Sequence, residues 1–255
     1  MKLLSTILWF TALLFISFGL ERNDFQPLFI AYCIAFFNYW LIYQLVEDKE
    51  ILKYIWIAVL IRCIIAFAFP NLSDDIYRFI WDGKLITDGI HPFLHTPTEL
   101  IQNHLVHHPI YQTLYPFLNS PDYFTVYPPV CQAIFAFSTQ LFPNDIYESA
   151  IVMKIILACF DIGSVFLIRH LLKNNYLPVK KVLLYAFNPL IIIELCGNAH
   201  FESAMLFFFL LSLHFWHQQK IAQAAIALAF SIASKLLPLL FIPFFIMQLY
   251  DKVNL

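Results

Sequence analysis

The chain of 255 residues is 61% hydrophobic, 18% aromatic and only 13% charged, with a formal net charge of −2. Soluble domains carry roughly 25% charged residues, so this composition excludes an ordinary soluble globular protein. The small net charge says little about partners, since the location of charge matters more than its sum; no nucleic-acid partner is expected.

In chain order, apolar runs at 3–20, 27–46, 54–69, 150–170, 181–196, 201–216 and 221–241 read as membrane helices. The fold class is therefore an all-α polytopic membrane protein, with residues 1–255 forming one transmembrane domain. The first run has no small-residue cleavage site and is followed at once by Glu21-Arg22-Asn23-Asp24 and another apolar run, so it reads as a retained span. Lys49, Lys53, Arg169, Lys173, Lys180, Lys181 and Lys220 fall in short connections and mark the cytoplasmic side. This puts the N terminus inside and residues 70–126 outside. The run at 128–142 opens with Pro128-Pro129 and would begin and end outside, so an interfacial or re-entrant helix is expected, with a short full span as the alternative. Lys235, Pro238 and Pro243 interrupt the last run, which reads as one kinked span or a hairpin. Cys33, Cys63, Cys131, Cys159 and Cys196 have no metal or redox spacing and read as small apolar packing residues.

The long polar insert at 70–126 carries the first chemistry. Residues 73–88 predict a helix capped by Ser73 and stopped by Gly89. Ile76, Phe79, Ile80, Trp81, Leu85 and Ile86 make a broad apolar surface, expected to lie on the membrane with Asp75, Arg78 and Asp82 on the other face. Asp74 and Asp75 fall in the first turn. The helix dipole favours a carboxylate there by about 0.3–1 kcal/mol, which accounts for one acid better than for two at a bilayer edge. Catalysis or ligand binding is the sharper reading for the pair.

Two further groups belong to the same side. Asn188-Pro189 interrupts the run at 181–196, and Gly197-Asn198-Ala199-His200-Phe201-Glu202 forms an outer turn whose polar residues are either solvated or part of a site. Lys235 is an intramembrane ammonium, costing about 2.5–3.5 kcal/mol when uncompensated, so it either snorkels or binds an anionic phosphate. Arg62 is expected to pair with Asp161 or Glu194. His104, His107 and His108 have helical spacing but no accompanying carboxylate, so no metal site is assigned and a divalent metal is not indicated.

Taken together, Ser73-Asp74-Asp75-Ile76-Tyr77-Arg78, Trp81-Asp82-Gly83-Lys84, Asp88-Gly89-Ile90-His91-Pro92-Phe93, Tyr127-Pro128-Pro129, Phe160-Asp161, Tyr185-Ala186-Phe187-Asn188-Pro189, Gly197 to Glu202 and Ser234-Lys235-Leu236-Leu237-Pro238 resemble the GT-C superfamily of membrane glycosyltransferases. The likeness is to GPI mannosyltransferase I-type enzymes and bacterial polyprenyl-phosphate-mannose-dependent relatives. It implies a GT-C-like helix bundle and an extracytoplasmic site, in a bacterial inner membrane. Its donor is a polyprenyl-phosphate sugar, its acceptor a glycolipid or glycan, and no further cofactor is needed. It implies Asp75 or Asp74 as catalytic base, with inversion. Arg78, Lys235, His200, Glu202, Asp82 and Tyr127 are the expected substrate and donor-phosphate ligands, and Tyr77 and Trp81 are expected to line the sugar and lipid sites. Relatives carry aspartate where this chain has Glu202. They also carry more spans after the Lys-x-x-Pro segment, which implies a C-terminally shortened chain and a partner membrane subunit. The alternatives are a transporter or flippase using Arg62, Asp161, Glu194 and Lys235, and a non-catalytic assembly subunit.

Overall fold

The computed structural model describes the backbone of residues 1–253 and side chains through 247, so the last two residues of the expected 1–255 domain lie outside the described residues. Every regular element among the described residues is helical. α1 (Lys2–Gly19) and α2 (Phe25–Leu45) pack as an antiparallel pair, followed by α3 (Ile51–Ile65). The insert then folds as α4 (Asp75–Thr87), α5 (Pro97–Gln102), α6 (Pro109–Leu114) and α7 (Pro129–Leu141). α8 (Ile146–Asn174) leads to α9 (Val182–Ala186), α10 (Pro189–Ile192) and a π-helical turn at Ile193–Gly197. α11 (Glu202–His217), α12 (Ile221–Ser234), a 3₁₀ segment at Leu237–Phe241 and α13 (Ile242–Val253) complete the order.

Among the described residues three helices, α1, α2 and α8, are long and apolar enough to cross a membrane. A fourth crossing is formed if Pro189–Gly197 and Glu202–His217, bent by 110° at residues 198–201, count as one broken span. The structure therefore divides the seven expected runs differently. α3 has 15 residues, about 22 Å at 1.5 Å per residue, short of a 30 Å hydrocarbon core. The run at 181–196 breaks at Asn188-Pro189: the proline has no N–H to continue α9, and Asn188 Oδ1 accepts from the N–H of Leu190 and Ile191 at 3.0 and 3.4 Å. The run at 221–241 breaks at Lys235, whose extended backbone ends α12.

Two cores result, and α8 joins them. The bundle core takes Trp9, Leu13, Ile16, Ile55, Ile61 and Phe187 together with Ala158 and Val165 of α8. The lobe core takes Phe79, Trp81, Tyr111 and Phe135 together with Ala150, Met153 and Leu157 from the other half of α8. With 29 residues, α8 is about 43 Å long, so it extends past a 30 Å core and gives the insert something to pack on.

This packing corrects the expected surface helix. α4 does not present its aromatic side to lipid; Phe79 and Trp81 are at most 2% exposed and face protein. Phe79 stacks on Phe135 of α7 with centroids 4.7 Å apart, and Trp81 meets Tyr111 edge-on at 4.9 Å. Gly83 permits the α4–α7 contact, because a Cβ there would lie 2.4 Å from the Phe135 carbonyl oxygen. The helix begins at Asp75 rather than at a Ser73 cap; Ser73 Oγ accepts weakly from the Asp75 N–H at 3.4 Å. Its stop is as expected. Gly89 adopts φ 78°, with bonds from the N–H of Gly89 to Ile86 O and of Ile90 to Leu85 O. α7 has 13 residues, about 20 Å, and packs along α4.

Candidate active site

The connections sort the two ends of the bundle. Lys2 donates to Glu47 and Glu50 at 3.0 and 2.6 Å, and Lys180 to the Gln44 carbonyl at 3.3 Å, gathering basic residues at one end. At the opposite end Arg22, in the α1–α2 turn, pairs with Asp74 at 2.9 Å.

Two cavities open at that second end. One, of about 600 Å³, has an apolar wall of Phe79, Val126, Tyr127, Phe201, Leu236 and Leu237, and also exposes Asp75, His200, Glu202 and Lys235. The other, of about 450 Å³, is mainly polar, with Arg22, Ser73, Asp74, Asn119, Glu194 and Asn198 joined by the same Asp75 and His200. Both volumes lie in the range of small-molecule sites. Asp75 and His200 thus form the partition between them. A third hollow of about 600 Å³ lies beyond Arg22 and Asp74 and reaches Tyr77 and Phe117.

The two acids differ in their partners. Asp74 is held by the Arg22 guanidinium. Asp75 accepts from the neutral Asn119 amide at 2.9 Å, and its second carboxylate oxygen accepts nothing from the described residues. Asp74 is thus engaged by a cation, while Asp75 keeps a neutral partner and one open carboxylate oxygen.

His200 is aimed by a strained turn. The π-helical turn ends at Gly197, and the fully buried Ala199 adopts φ 60°, a left-handed conformation unfavourable for a residue with a Cβ. His200 Nδ1 then lies 3.1 Å from Glu194 Oε2, which also accepts from Asn198 at 3.3 Å. On the apolar side Lys235 pairs with Glu202. Lys235 is brought there by the end of α12, where Cys131 Sγ donates to the Ser234 carbonyl at 3.1 Å. Burial pushes the Cys131 thiol up to about 12, so it stays protonated and can donate. Cys131 therefore does more than fill space. Burial, reinforced by Asp75 and Asp82, raises the Tyr127 phenol well above its ordinary value, leaving it a neutral hydroxyl in the wall.

Arg78 and Asp82 are brought together but not to these cavities. Arg78 Nε bonds Asp82 at 2.9 Å, and its Nη1 donates to the carbonyls of Ser120 and Tyr123, both at 3.1 Å. Asp82 also accepts from Thr125 and, at 3.2 Å, from Gln132. Burial raises the Asp82 pKa, opposed by the adjacent guanidinium. The pair sits behind the wall and holds the 120–127 segment that carries Tyr127. Trp81, expected at a sugar or lipid site, belongs to the lobe core, and Arg78 faces Asp82 rather than Asp75.

Several residues of the site had no local signal. Asn119 lies 44 residues from Asp75, and Arg22 lies 52 from Asp74. Lys154 was legible as a cation within an apolar run; it is buried and donates to the carbonyls of Ile65, at 3.0 Å, and Ala68. With Tyr147 donating to Phe67 O at 2.8 Å, it fixes the turn that leads into Asp74-Asp75. Arg62 pairs with Asp161 at 2.6 Å, one of the two expected partners. Among the described residues no group of three or more His, Cys, Asp or Glu side chains is arranged to hold a metal ion.

No curated protein and no solved structure matches the chain. A family model described as alpha-(1->6)-mannopyranosyltransferase, N-terminal domain, matches residues 21–251, a range that contains every residue lining the cavities above, and the chain belongs to that mannosyltransferase family.

Proposed function

We propose that this mannosyltransferase is of the GT-C type. It takes mannose from a polyprenyl-phosphate donor and transfers it, with inversion, to a hydroxyl of a lipid-linked or cell-envelope glycan at the extracytoplasmic face of a bacterial inner membrane. One observation carries the reading: Asp75, with one carboxylate oxygen open, lines two cavities of different character at once. The apolar cavity with Lys235 suits the lipid phosphate, and the polar cavity suits the acceptor.

The chemistry follows from that position. The acceptor oxygen bonds the anomeric carbon as the bond to the phosphate oxygen breaks, and the departing phosphate keeps the electron pair. Asp75 takes the hydroxyl proton, a general-base contribution of roughly 10²–10⁴-fold. Lys235 can turn from Glu202 to offset the charge developing on phosphate. His200, held by Glu194, faces the same reacting region, and Tyr127 contributes a wall. Arg78 and Asp82 act indirectly, by holding the segment that bears Tyr127. The basic residues at the opposite end support the extracytoplasmic orientation, since such residues favour the cytoplasmic side. The charges that a transporter would use are closed into pairs, Arg62 with Asp161, Glu194 with His200 and Lys235 with Glu202.

The test is transfer of radiolabelled mannose from polyprenyl-phosphate mannose by the purified protein. Asp75→Asn is expected to lower turnover at least 100-fold and Asp74→Asn about tenfold or less. Equal loss in both variants, or none in Asp75→Asn, removes Asp75 as the base.

A further inference from the structure

The two cavities differ in charge as well as in apolarity, and that difference bears on the acceptor. The polar cavity holds three carboxylates, Asp74, Asp75 and Glu194, against one guanidinium, Arg22, which is already committed to Asp74, and the His200 imidazole, which rests on Glu194 and is shared with the apolar cavity. The apolar cavity holds an ammonium, Lys235, against Asp75 and Glu202. Phosphate oxygens only accept hydrogen bonds and carry negative charge, so the polar cavity repels them. Sugar hydroxyls both donate and accept, and the carboxylates and amides of this cavity supply the matching partners.

We infer that the polar cavity is the acceptor subsite, that Glu194, Asn198 and Asn119 read the hydroxyls of an uncharged sugar there, and that its acidity excludes an acceptor phosphorylated near the reacting hydroxyl. The inference rests on the transferase reading above. Its structural basis is the turn at 193–200. The π-helical turn projects Glu194, the left-handed Ala199 reverses the chain, and Asn198 bonds back to Glu194, so one turn carries Glu194, Asn198 and His200 into one cavity. Asn119 enters from the loop after α6 and touches Asp75, which couples hydroxyl recognition to the base. Specificity built in this way uses a repulsive element as well as an attractive one.

The experiment uses the full chain in nanodiscs with polyprenyl-phosphate mannose as donor. Octyl α-mannopyranoside and its 3-phosphate serve as acceptors. For the wild type the phosphorylated acceptor is expected to have a KM at least tenfold higher. Glu194→Gln is expected to narrow that gap at least threefold. Asn198→Ala is expected to raise the KM of the neutral acceptor at least fivefold while the donor KM stays within twofold. Arg22 is exposed and less exposed to misfolding when changed, so Arg22→Gln provides an independent arm and is expected to widen the gap. Equal use of the two acceptors, or a rise in donor KM instead of acceptor KM, overturns the subsite. A folded wild type that neither transfers mannose nor releases it from the donor overturns the transferase reading itself.

Discussion

Arg62–Asp161 and Arg78–Asp82 are both closed off from solvent, one in the bundle and one in the lobe. In the bundle, Arg62 also donates to the carbonyls of Ala58 and Ala186 at 3.0 and 2.7 Å, and Asp161 accepts from Tyr185 at 2.5 Å. That pair joins α3, α8 and the end of α9, where the break at Asn188-Pro189 leaves the Ala186 carbonyl needing a donor. In the lobe, Arg78 and Asp82 share one helix, and their remaining bonds reach the 120–125 loop and the first turns of α7 through Gln132. The first pair holds helices to one another; the second holds one wall of a cavity. The same chemistry therefore serves stability in one region and the shape of the site in the other.

That contrast can be broken most strongly in the bundle. Arg62→Met leaves Asp161 buried without its cation, a change worth about 3–5 kcal/mol, so a large fall in thermal midpoint is expected. Pairing it with Asp161→Leu should recover much of the loss, and a single variant as stable as wild type would contradict the account. In the lobe, Arg78→Lys keeps the charge but cannot repeat the forked contacts to Asp82 and two carbonyls. About 1–3 kcal/mol is expected, with a larger proportional loss of turnover than of stability. Equal activity at reduced stability would detach the pair from the site.

Gly83→Ala tests the lobe without touching a charge. Its Cβ would meet the Phe135 carbonyl, so α4 and α7 must separate at a cost of about 1–3 kcal/mol. Protease protection of the insert should fall while that of α1 and α2 is retained. The smallest effect belongs to the basic end. Glu47 is held down at about 2 by Lys49 first and then Lys2. Such a depressed carboxylate stabilises above its ordinary pKa and loses that contribution as pH falls through the lowered value. Because these groups are exposed, lowering pH from 6 to 3 should change Lys2→Ala and wild type to nearly the same extent, with midpoints within about 2 °C.

The sequence by itself determined the class of protein, because an apolar run of about 20 residues has few outcomes other than crossing a bilayer. It also marked Asp74-Asp75, His200, Glu202 and Lys235, since polar groups at a membrane edge are conspicuous in an apolar chain. It showed where α4 stops, through Gly89, and where the apolar run at 181–196 breaks, through Asn188-Pro189. Only tertiary structure decided what the apolar side of α4 faces. A hydrophobic surface reads the same whether its neighbour is lipid or α7, and here Phe135 and Gly83 settle it as protein. Tertiary structure likewise gave Asp75 and Asp74 different partners, because Asn119 and Arg22 come from distant turns and a partner's charge is invisible in the local pattern. The division of the site into two cavities has the same origin: it depends on a left-handed Ala199 and on the end of α12, brought together by packing across the chain.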